Sequence, residues 1–382
     1  MTLKRNSKLF LVLFLGTLSA FGPFVTDLYL PALPTMSSYF NSSTSTIQLT
    51  LTGSMVGLAL GQLLIGPISD KYGRKNPLII SLIVYLISTI AIIILPNVYT
   101  MIVLRFIQGV SSAGAVVISR AISTDLYHGR ELAAFFALLM AVNGLAPILS
   151  PILGSLLLEL TDWRGIFVTL AMIGVILLTV SFKFNESLAI EKRLDLPITK
   201  TYYSIVHVAK NRLFFALVII QGFALATVFA YIAASPFILQ THYSLSPLMY
   251  INGFAIVLGS KSAGNFKEKI SIKLGLSLML LVSIYLAVAL TLTLPFLFIE
   301  VGFFLLLLGL GFILPSGSAI AMSLERERAG SASAFFGFVP FFLGGVVSPL
   351  VGIGNIFHSS AIAIIICSAI SFITFKLVEK KI

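Results

Sequence analysis

The sequence contains 382 residues, of which 58% are hydrophobic and only 10% are charged. Soluble globular proteins carry roughly 25% charged residues, so this composition excludes a soluble protein and indicates a chain integral to a membrane. The net charge of +11 fits nucleic-acid binding only if the basic residues gather on one surface. Cys367 is the single cysteine, which excludes an internal disulfide bond.

Apolar segments long enough to span a bilayer, roughly 20 residues each, recur along the whole chain. The first is predicted to be a retained helix and not a cleaved signal peptide. The longest polar stretch, residues 185–211, is predicted to link a bundle at 1–184 to a bundle at 212–382. The twelve predicted spans cover residues 9–32, 46–69, 77–95, 99–123, 132–159, 164–184, 212–239, 247–265, 272–292, 296–319, 329–352 and 357–377.

The first span carries an aspartate, Asp27, shortly before two prolines, Pro31 and Pro34. A carboxyl group inside a bilayer costs about 2.5–3.5 kcal/mol on insertion scales, and low dielectric favours its neutral form. Asp27 is therefore a candidate to gain and lose a proton near neutral pH. The alternative is an anchoring role near the outer headgroups, because the prolines indicate that the helix is ending.

A charged loop, Gly66-Pro-Ile-Ser-Asp-Lys-Tyr-Gly-Arg-Lys75, follows the second span. It resembles the loop between the second and third helices of the major facilitator superfamily, whose pattern is G-x-L-(A/S)-D-(R/K)-x-G-R-(R/K). Only Ile68 departs from that pattern. The resemblance implies an all-α membrane fold of twelve transmembrane helices in two pseudo-symmetric six-helix bundles.

The segment from Thr26 to Pro34, T-D-L-Y-L-P-A-L-P, resembles the first-helix signature of the Bcr/CflA drug-resistance subfamily. In that group the matching aspartate is taken as a site of protonation and of cationic-substrate binding. The resemblance therefore implies proton coupling and substrate binding at Asp27, with Tyr29 as a neighbouring substrate-binding residue.

The fourth span contains Arg105 in an R-x-x-Q-G pattern that the superfamily associates with proton coupling. An arginine stays charged in proteins and needs an acceptor or water inside a membrane. We expect Arg105 to influence the protonation of Asp27 through its positive charge. The alternative is that Arg105 braces the helix by bonding to backbone carbonyls.

The end of the fourth span, Ser119 to Asp125, is also similar to the Bcr/CflA group. In relatives an acidic residue here pairs with the arginine of the charged loop, which implies a gate on the inner side of the membrane. The alternative is a solvated surface cluster of ion pairs. The predicted inner gate consists of Gly66, Asp70, Gly73, Arg74, Arg120 and Asp125.

The fifth span, with two prolines four residues apart, resembles the antiporter motif G-x-x-x-G-P-x-x-G-G in its A-P-x-x-x-P-x-x-G variant. The superfamily associates this motif with exporters, whereas the alternative is a bent packing helix. The predicted hinge residues are Gly144, Pro147, Pro151 and Gly154, and the polar residues Asn143 and Tyr231 are candidates to bind substrate.

Basic residues fall almost entirely in the segments that lie inside the cell if the N-terminus is cytoplasmic. Of the 25 lysines and arginines, only Arg105 and Arg120 in the fourth span and Arg164 outside depart from this placement. The net charge thus reports membrane topology and disfavours nucleic-acid binding. Both termini are predicted to be cytoplasmic, in a multi-pass protein of the bacterial plasma membrane.

The function implied by the resemblance is proton-coupled export of small hydrophobic, neutral or cationic drug-like compounds by alternating access. The alternative is export of a natural metabolite, such as a siderophore, sugar or amino acid, with incidental drug resistance. An enzyme or a sensor is disfavoured because the chain has no soluble effector domain and no paired catalytic residues. The sequence predicts no cofactor, since it carries neither metal-ligand spacing nor a nucleotide-binding lysine loop. A monomer is expected.

Overall fold

The computed structural model describes residues 7–95, 97–127, 129–193, 198–245, 254–325 and 329–382. These residues form helices, connected by short turns, and contain no strand. The helices are α1 (Lys8–Asp27), α2 (Leu33–Tyr39), α3 (Thr44–Tyr72), α4 (Lys75–Ile94), α5 (Val98–Leu126), α6 (Gly129–Leu160), α7 (Trp163–Lys183), α8 (Ile198–Ala209), α9 (Arg212–Pro236), α10 (Phe254–Ala263), α11 (Glu268–Thr291), α12 (Phe296–Leu324), α13 (Ala329–Leu350) and α14 (Ile356–Val378).

The described helices confirm the all-α membrane fold. Among the described residues, ten stretches are long and apolar enough to cross a membrane. The apolar part Leu149–Leu160 of α6 and the helix α10, Phe254–Ala263, lie where the fifth and eighth spans are predicted. The arrangement is consistent with a fold of twelve spanning helices, whose apolar side chains face either the helix bundle or the lipid.

Three local features differ from the predicted spans. The first span is interrupted, because α1 ends at Asp27 and the chain continues through a 3₁₀ turn at Leu30–Ala32 into α2. The stretch 185–211 contains the short helix α8, and α9 is extended by a π-helical turn at Phe237–His242. Hydropathy detects none of these features, since they involve short segments or hydrogen-bond register rather than composition.

The chain divides into two compact units, and the first consists of Met1–Tyr29 and Gly53–Tyr203. Within it, α1 packs on α5 and α6, and α4 packs on α5 and α7. The described part of α3 in this unit approaches α5 backbone to backbone. A Cβ on Gly57 would collide with the Phe106 carbonyl, and one on Gly109 would collide with the Ser54 carbonyl. These glycines allow α5 to lie close against α3, which fixes the position of Arg105.

The second unit consists of Leu30–Thr52 and Ser204–Ile382. Here α9 packs on α12, α13 and α14, and α11 packs on α12 and α14. The segment Leu30–Thr52 is tied to these helices by hydrogen bonds. The Gln48 side chain is fully buried and donates to the Ala233 carbonyl at 2.9 Å, and the Ser45 hydroxyl donates to the Pro349 carbonyl at 3.0 Å.

Candidate functional site

Arg105 lies on α5 in the first unit and is fully buried. Its Nη1 donates to Gln108 Oε1, one turn further along the helix, and its Nη2 donates to the Val25 carbonyl on α1 at 3.0 Å. The Gln108 Nε2 in turn donates to Thr89 Oγ1 on α4 at 2.7 Å. We refer to Arg105, Gln108 and Thr89 as the Arg105 network. Together with the bond to Val25, this network joins the helices α1, α4 and α5 around one buried positive charge.

Aromatic rings cover the guanidinium of Arg105. Its Cζ lies 4.1 Å from the centroid of the Tyr29 ring and 5.6 Å from that of Phe167. Rings at these distances attract a cation through their quadrupole. The sequence-predicted residue Tyr29 therefore contacts Arg105 directly, and the ring of Phe167 on α7 was not found from the sequence.

Asp27 is the last residue of α1, and its exposed fraction is 6%. The positive charge of Arg105 acts on its carboxyl group. Arg105 also contacts Val25 and Tyr29, the residues two positions before and after Asp27. The structure thus brings the predicted residues Asp27, Tyr29 and Arg105 into one neighbourhood.

One hydrogen-bond donor of Arg105 has no acceptor among the described residues. Among the described residues, the Nε of Arg105 is buried without a hydrogen-bond partner. The ion pairs of the described residues do not include Arg105 or Asp27. Arg105 bonds to a backbone carbonyl, as the bracing alternative expects, and its charge also acts on Asp27, as coupling expects.

A second buried arginine, Arg74, lies in the short turn between α3 and α4, because the residues of the charged loop from Gly66 to Tyr72 are helical and continue α3. Its Nε and Nη2 donate to the two carboxylate oxygens of Asp125 on α5, at 2.9 and 3.1 Å. Its Nη1 donates to Asp70 Oδ1 and to Ser69 Oγ. We refer to Arg74, Asp70, Asp125 and Ser69 as the Arg74 cluster. It joins the C-terminal ends of α3 and α5, which the sequence predicts to meet.

The electrostatics of the Arg74 cluster favour the charged guanidinium. Burial by itself would lower the pKa of Arg74, but the hydrogen bonds and negative charges of Asp125 and Asp70 raise that pKa above its ordinary value. The side chains of Arg74 and Asp125 are 6% and 11% exposed, whereas that of Asp70 is 44% exposed. The bidentate pair with Asp125 is therefore the shielded half of the cluster, and the pair with Asp70 is open to water.

The remaining residues of the predicted gate take different positions. Gly73 adopts a positive φ of 90° in the turn before α4. Gly66 lies within α3, where a Cβ would meet Val117 at 3.6 Å, an ordinary contact. Arg120 lies on α5, partly buried, and no hydrogen bond or ion pair joins it to the described members of the Arg74 cluster.

Sequence reasoning missed an acidic residue at this site, Glu186. It follows α7 and accepts hydrogen bonds from the backbone N–H groups of Arg74 and Lys75 at 3.0 and 3.1 Å. It lies more than one hundred residues away along the chain, so no local pattern connects it to the loop.

The predicted hinge residues lie on one continuous helix, α6. Pro151 and Gly154 are buried. The side chains of Asn143, Gly144 and Pro147 lie outside the described residues. The Ser155 hydroxyl donates to the Pro151 carbonyl at 2.7 Å, a back-bond of the kind that often bends helices.

Tyr231 belongs to the second unit, on α9. It is buried, and its ring centroid lies 4.4 Å from that of Phe303 on α12. In the part of the chain that the structure describes, no group of three or more metal-ligating side chains could hold a metal ion.

Charged centres on a bundle of apolar helices are typical of a membrane transporter. Comparison with known proteins identifies the family. The sequence profile of the Major Facilitator Superfamily matches residues 9–376. The chain belongs to the Major Facilitator Superfamily.

Known proteins resemble the chain in sequence and in fold. It is 36% identical to the uncharacterized transporter YdgK of Bacillus subtilis (strain 168) over 92% of this chain and 90% of that one. It is 28% identical to a bicyclomycin resistance protein homolog of Haemophilus influenzae, over 60% of this chain and 58% of that one. The xylose transporter XylE from E. coli, in a partially occluded inward-open conformation, superposes with a TM-score of 0.75 at 13% identity and covers 97% of each chain. That identity supports the fold alone.

Proposed function

We propose that this Major Facilitator Superfamily protein exports small hydrophobic, neutral or cationic compounds across the bacterial plasma membrane in exchange for protons. Both termini are cytoplasmic in this proposal, because that orientation places nearly all lysines and arginines inside. A relative named as a bicyclomycin resistance protein homolog supports a drug-like cargo. The resemblance of α6 to the exporter motif supports the outward direction.

The observation that carries the proposal is a buried carboxyl group close to a buried arginine that no described carboxylate neutralises. Asp27 is 6% exposed and feels the charge of Arg105, while the Nε of Arg105 has no partner among the described residues. A carboxyl group in this setting can exist in a neutral and a charged form with different local partners. Substrate and proton can then compete for Asp27, which is the requirement for antiport.

In the proposed cycle, Asp27 takes up a proton from outside and releases it inside as the compound is loaded. Each inward-moving proton gains about 2.3 kcal/mol per 100 mV of inside-negative potential. For one proton against a neutral compound, this supports a concentration ratio of about 1.7 decades per 100 mV. A gradient of pH adds to this ratio.

The Arg74 cluster supplies the proposed inner gate. Its carboxylates and guanidinium join the inner ends of α3 and α5, and the cycle requires the inner side to close when the outer side opens. In this proposal Asp70, the more exposed carboxylate, is the part of the gate that exchanges partners. The substitution Asp70→Asn should shift the conformational balance inward, measured by the accessibility of an introduced reporter cysteine after removal of Cys367. An unchanged conformational balance would mean that the Arg74 cluster is only a surface cluster of ion pairs.

The test of proton coupling is Asp27→Asn, with Asp162→Asn as the matched control. Asp162 is exposed on its side chain and caps α7, and asparagine caps a helix equally well. The purified proteins are mixed with chloramphenicol or ethidium, and proton release is followed with a pH dye. We expect release from the wild type and from Asp162→Asn, and none from Asp27→Asn. Release from Asp27→Asn, together with retained resistance, would exclude Asp27 as the coupling site.

A drug panel in a pump-deficient host separates the proposal from export of a natural metabolite. We expect raised resistance to several unrelated apolar compounds, which is lost when a protonophore is added. Resistance that survives the protonophore would contradict proton coupling. Absence of resistance to every compound would favour a natural metabolite as the cargo.

A further inference from the structure

Glu186 gathers an unusual number of backbone donors. Its Oε1 accepts from the N–H groups of Arg74, Ser187 and Leu188 at 3.0, 2.9 and 3.0 Å, and its Oε2 accepts from that of Lys75 at 3.1 Å. Two of these donors belong to the charged loop, and two belong to the segment that follows α7. One carboxylate therefore holds two distant pieces of backbone together.

The charged loop depends on this carboxylate because it lacks a cap of its own. Helix α4 begins at Lys75, and its N-cap residue Arg74 makes no side-chain capping bond. The first N–H groups of a helix have no partner within the helix and carry its positive dipole end, so a carboxylate stabilises them. Glu186 supplies the missing cap from more than one hundred residues away.

Further contacts fix the same segment on the Arg74 cluster. The hydroxyl of Ser187 donates to Asp125 Oδ2 at 2.8 Å. The Nζ of Lys75 donates to the Phe182 carbonyl at 2.8 Å, and Arg193 Nη2 lies 3.9 Å from Glu186 Oε2. Asp125 therefore receives both the guanidinium of Arg74 and a hydroxyl from the residue next to Glu186.

The backbone of the loop leaves room for this carboxylate and for nothing larger than glycine. Gly73 has a φ of 90°, and a Cβ at this position would lie 2.6 Å from Glu186 Oε2 and 2.8 Å from Arg193 Nη2. The glycine of the loop pattern and the acidic residue after α7 thus occupy complementary space.

We propose that Glu186 is a positioning residue of the inner gate: it fixes the backbone of Arg74 so that the guanidinium can bridge Asp70 and Asp125. This inference rests on the proposed transport function. Glu186 thereby makes the segment directly after α7, Glu186 to Leu188, part of the gate. Loss of the hydrogen bonds to Glu186 would detach the charged loop from the segment after α7.

Hydrogen–deuterium exchange of the full-length protein in lipid nanodiscs tests the positioning role directly. In Glu186→Gln we expect exchange at Arg74, Lys75, Ser187 and Leu188 to accelerate by about tenfold, because a charged acceptor becomes neutral. The matched control is Glu191→Gln, an exposed glutamate five residues further along. Unchanged exchange in Glu186→Gln would overturn the proposal. No substrate is present in this measurement, so it stands even if drug export fails.

Transport kinetics in proteoliposomes test whether the position matters for the gate. With ethidium as the probe, we expect Glu186→Gln to lower the maximal rate about fivefold while KM stays within about twofold, since the gate and not the substrate site is altered. Glu186→Asp keeps the charge and should recover part of the rate. Faster exchange with an unchanged maximal rate would assign Glu186 to structure alone and overturn its role in the gate.

Discussion

Arg74 and Arg105 are both buried arginines in the first unit, yet their partners differ in kind. Arg74 is neutralised by two carboxylates and fixed by a serine hydroxyl. Arg105 bonds to an amide oxygen and a backbone carbonyl, lies under aromatic rings, and has no partner for its Nε among the described residues. The first arginine forms ion pairs with carboxylates, whereas the second forms none among the described residues.

The difference fits the two proposed roles, a gate held by ion pairs at Arg74 and a proton-coupling site at Arg105. Four donor–acceptor contacts hold Arg74 in the Arg74 cluster, and removing one partner of its buried pair with Asp125 would leave an uncompensated buried charge. In the proposed function, an arginine without a carboxylate ion pair, near a carboxyl group that can be neutral or charged, makes the Arg105 network responsive to a proton. In the proposed cycle, the same residue type thus serves gating in one place and coupling in the other.

The largest effect is expected from Arg105→Lys. A single ammonium group does not replace the two guanidinium nitrogens that bond to Gln108 and Val25, and it loses the contact of the guanidinium with the Tyr29 ring. We expect transport to fall by about a hundredfold, from about 2 kcal/mol of charged hydrogen bonding and about 1 kcal/mol of cation–π contact. Initial rates in proteoliposomes, normalised to folded protein, measure it.

A matched control for this substitution is Arg164→Lys. Arg164 also lies over an aromatic ring, that of Trp163 at 4.6 Å, but outside the buried centre. Transport should stay within about twofold, as for an exposed ion pair. Equal losses in both variants would show that the buried centre has no special role.

Arg74→Lys should affect the gate through its geometry alone, because the charge is kept. The bidentate pair with Asp125 needs the planar guanidinium, and a lysine makes at most one of its two bonds. We expect the free energy of unfolding to fall by about 2 kcal/mol, the loss of one charged hydrogen bond. Thermal unfolding in detergent measures it, and an unchanged midpoint would contradict a tightly held cluster.

Much of the fold could be predicted from the sequence, because spanning helices are defined by composition over about 20 residues. The predicted spans agree with the described helices wherever a span runs without interruption. The break after Asp27 and the helix α8 could not be predicted in this way. Pro34 does lie in the first turn of α2, where its ring favours the start of a new helix, but its position alone does not separate a broken helix from a bent one.

The candidate site could be predicted in its charged residues and not in their partners. Asp27 and Arg105 are conspicuous because charge is rare inside a membrane, and Arg74 and Asp125 because they stand in motifs at the ends of spans. Thr89 and Glu186 are not, since a threonine in an apolar helix and a glutamate after a helix are ordinary. Their roles depend on contacts between distant segments, which one sequence does not encode in any local pattern.

Gly73→Ala tests how closely the charged loop is fitted around Glu186. The positive φ alone costs an alanine about 1 kcal/mol, and the collision with the Glu186 carboxylate adds to this. Gly354→Ala is the control, because Gly354 has a φ of 71° and a Cβ there would meet no described atom within 4 Å. We expect a larger loss of thermal stability for Gly73→Ala. Equal losses in the two variants would mean that backbone strain alone, without the collision with Glu186, accounts for the effect of Gly73→Ala.

Thr89→Val tests whether the Arg105 network reaches as far as α4. The valine keeps the shape of the side chain but leaves the Gln108 amide without its acceptor, at a cost of about 1 kcal/mol. We expect a several-fold lower transport rate with normal expression. Thr179→Val is the control, since Thr179 is exposed and its hydroxyl donates to the Val175 carbonyl of its own helix.

The smallest effect is expected at Glu379, because its two lysine partners are exposed to water. Glu379, just beyond α14, accepts from Lys376 and Lys273, each at 2.9 Å. The hydrogen bonds from Lys376 and Lys273 lower the pKa of Glu379 from 4.5 to about 2. A carboxyl group whose pKa is lowered on folding stabilises the protein above the unfolded value and loses this contribution as the pH falls through the folded value.

Glu379→Gln should therefore lower the thermal midpoint only slightly at pH 7, because exposed pairs are screened by salt and water. The difference from the wild type should persist down to about pH 5 and shrink between about pH 4.5 and pH 2. Raising the salt concentration should reduce it as well. A loss as large as that of Arg74→Lys would contradict the comparison, since it would mean that burial does not decide how strongly these charged groups hold the helices together.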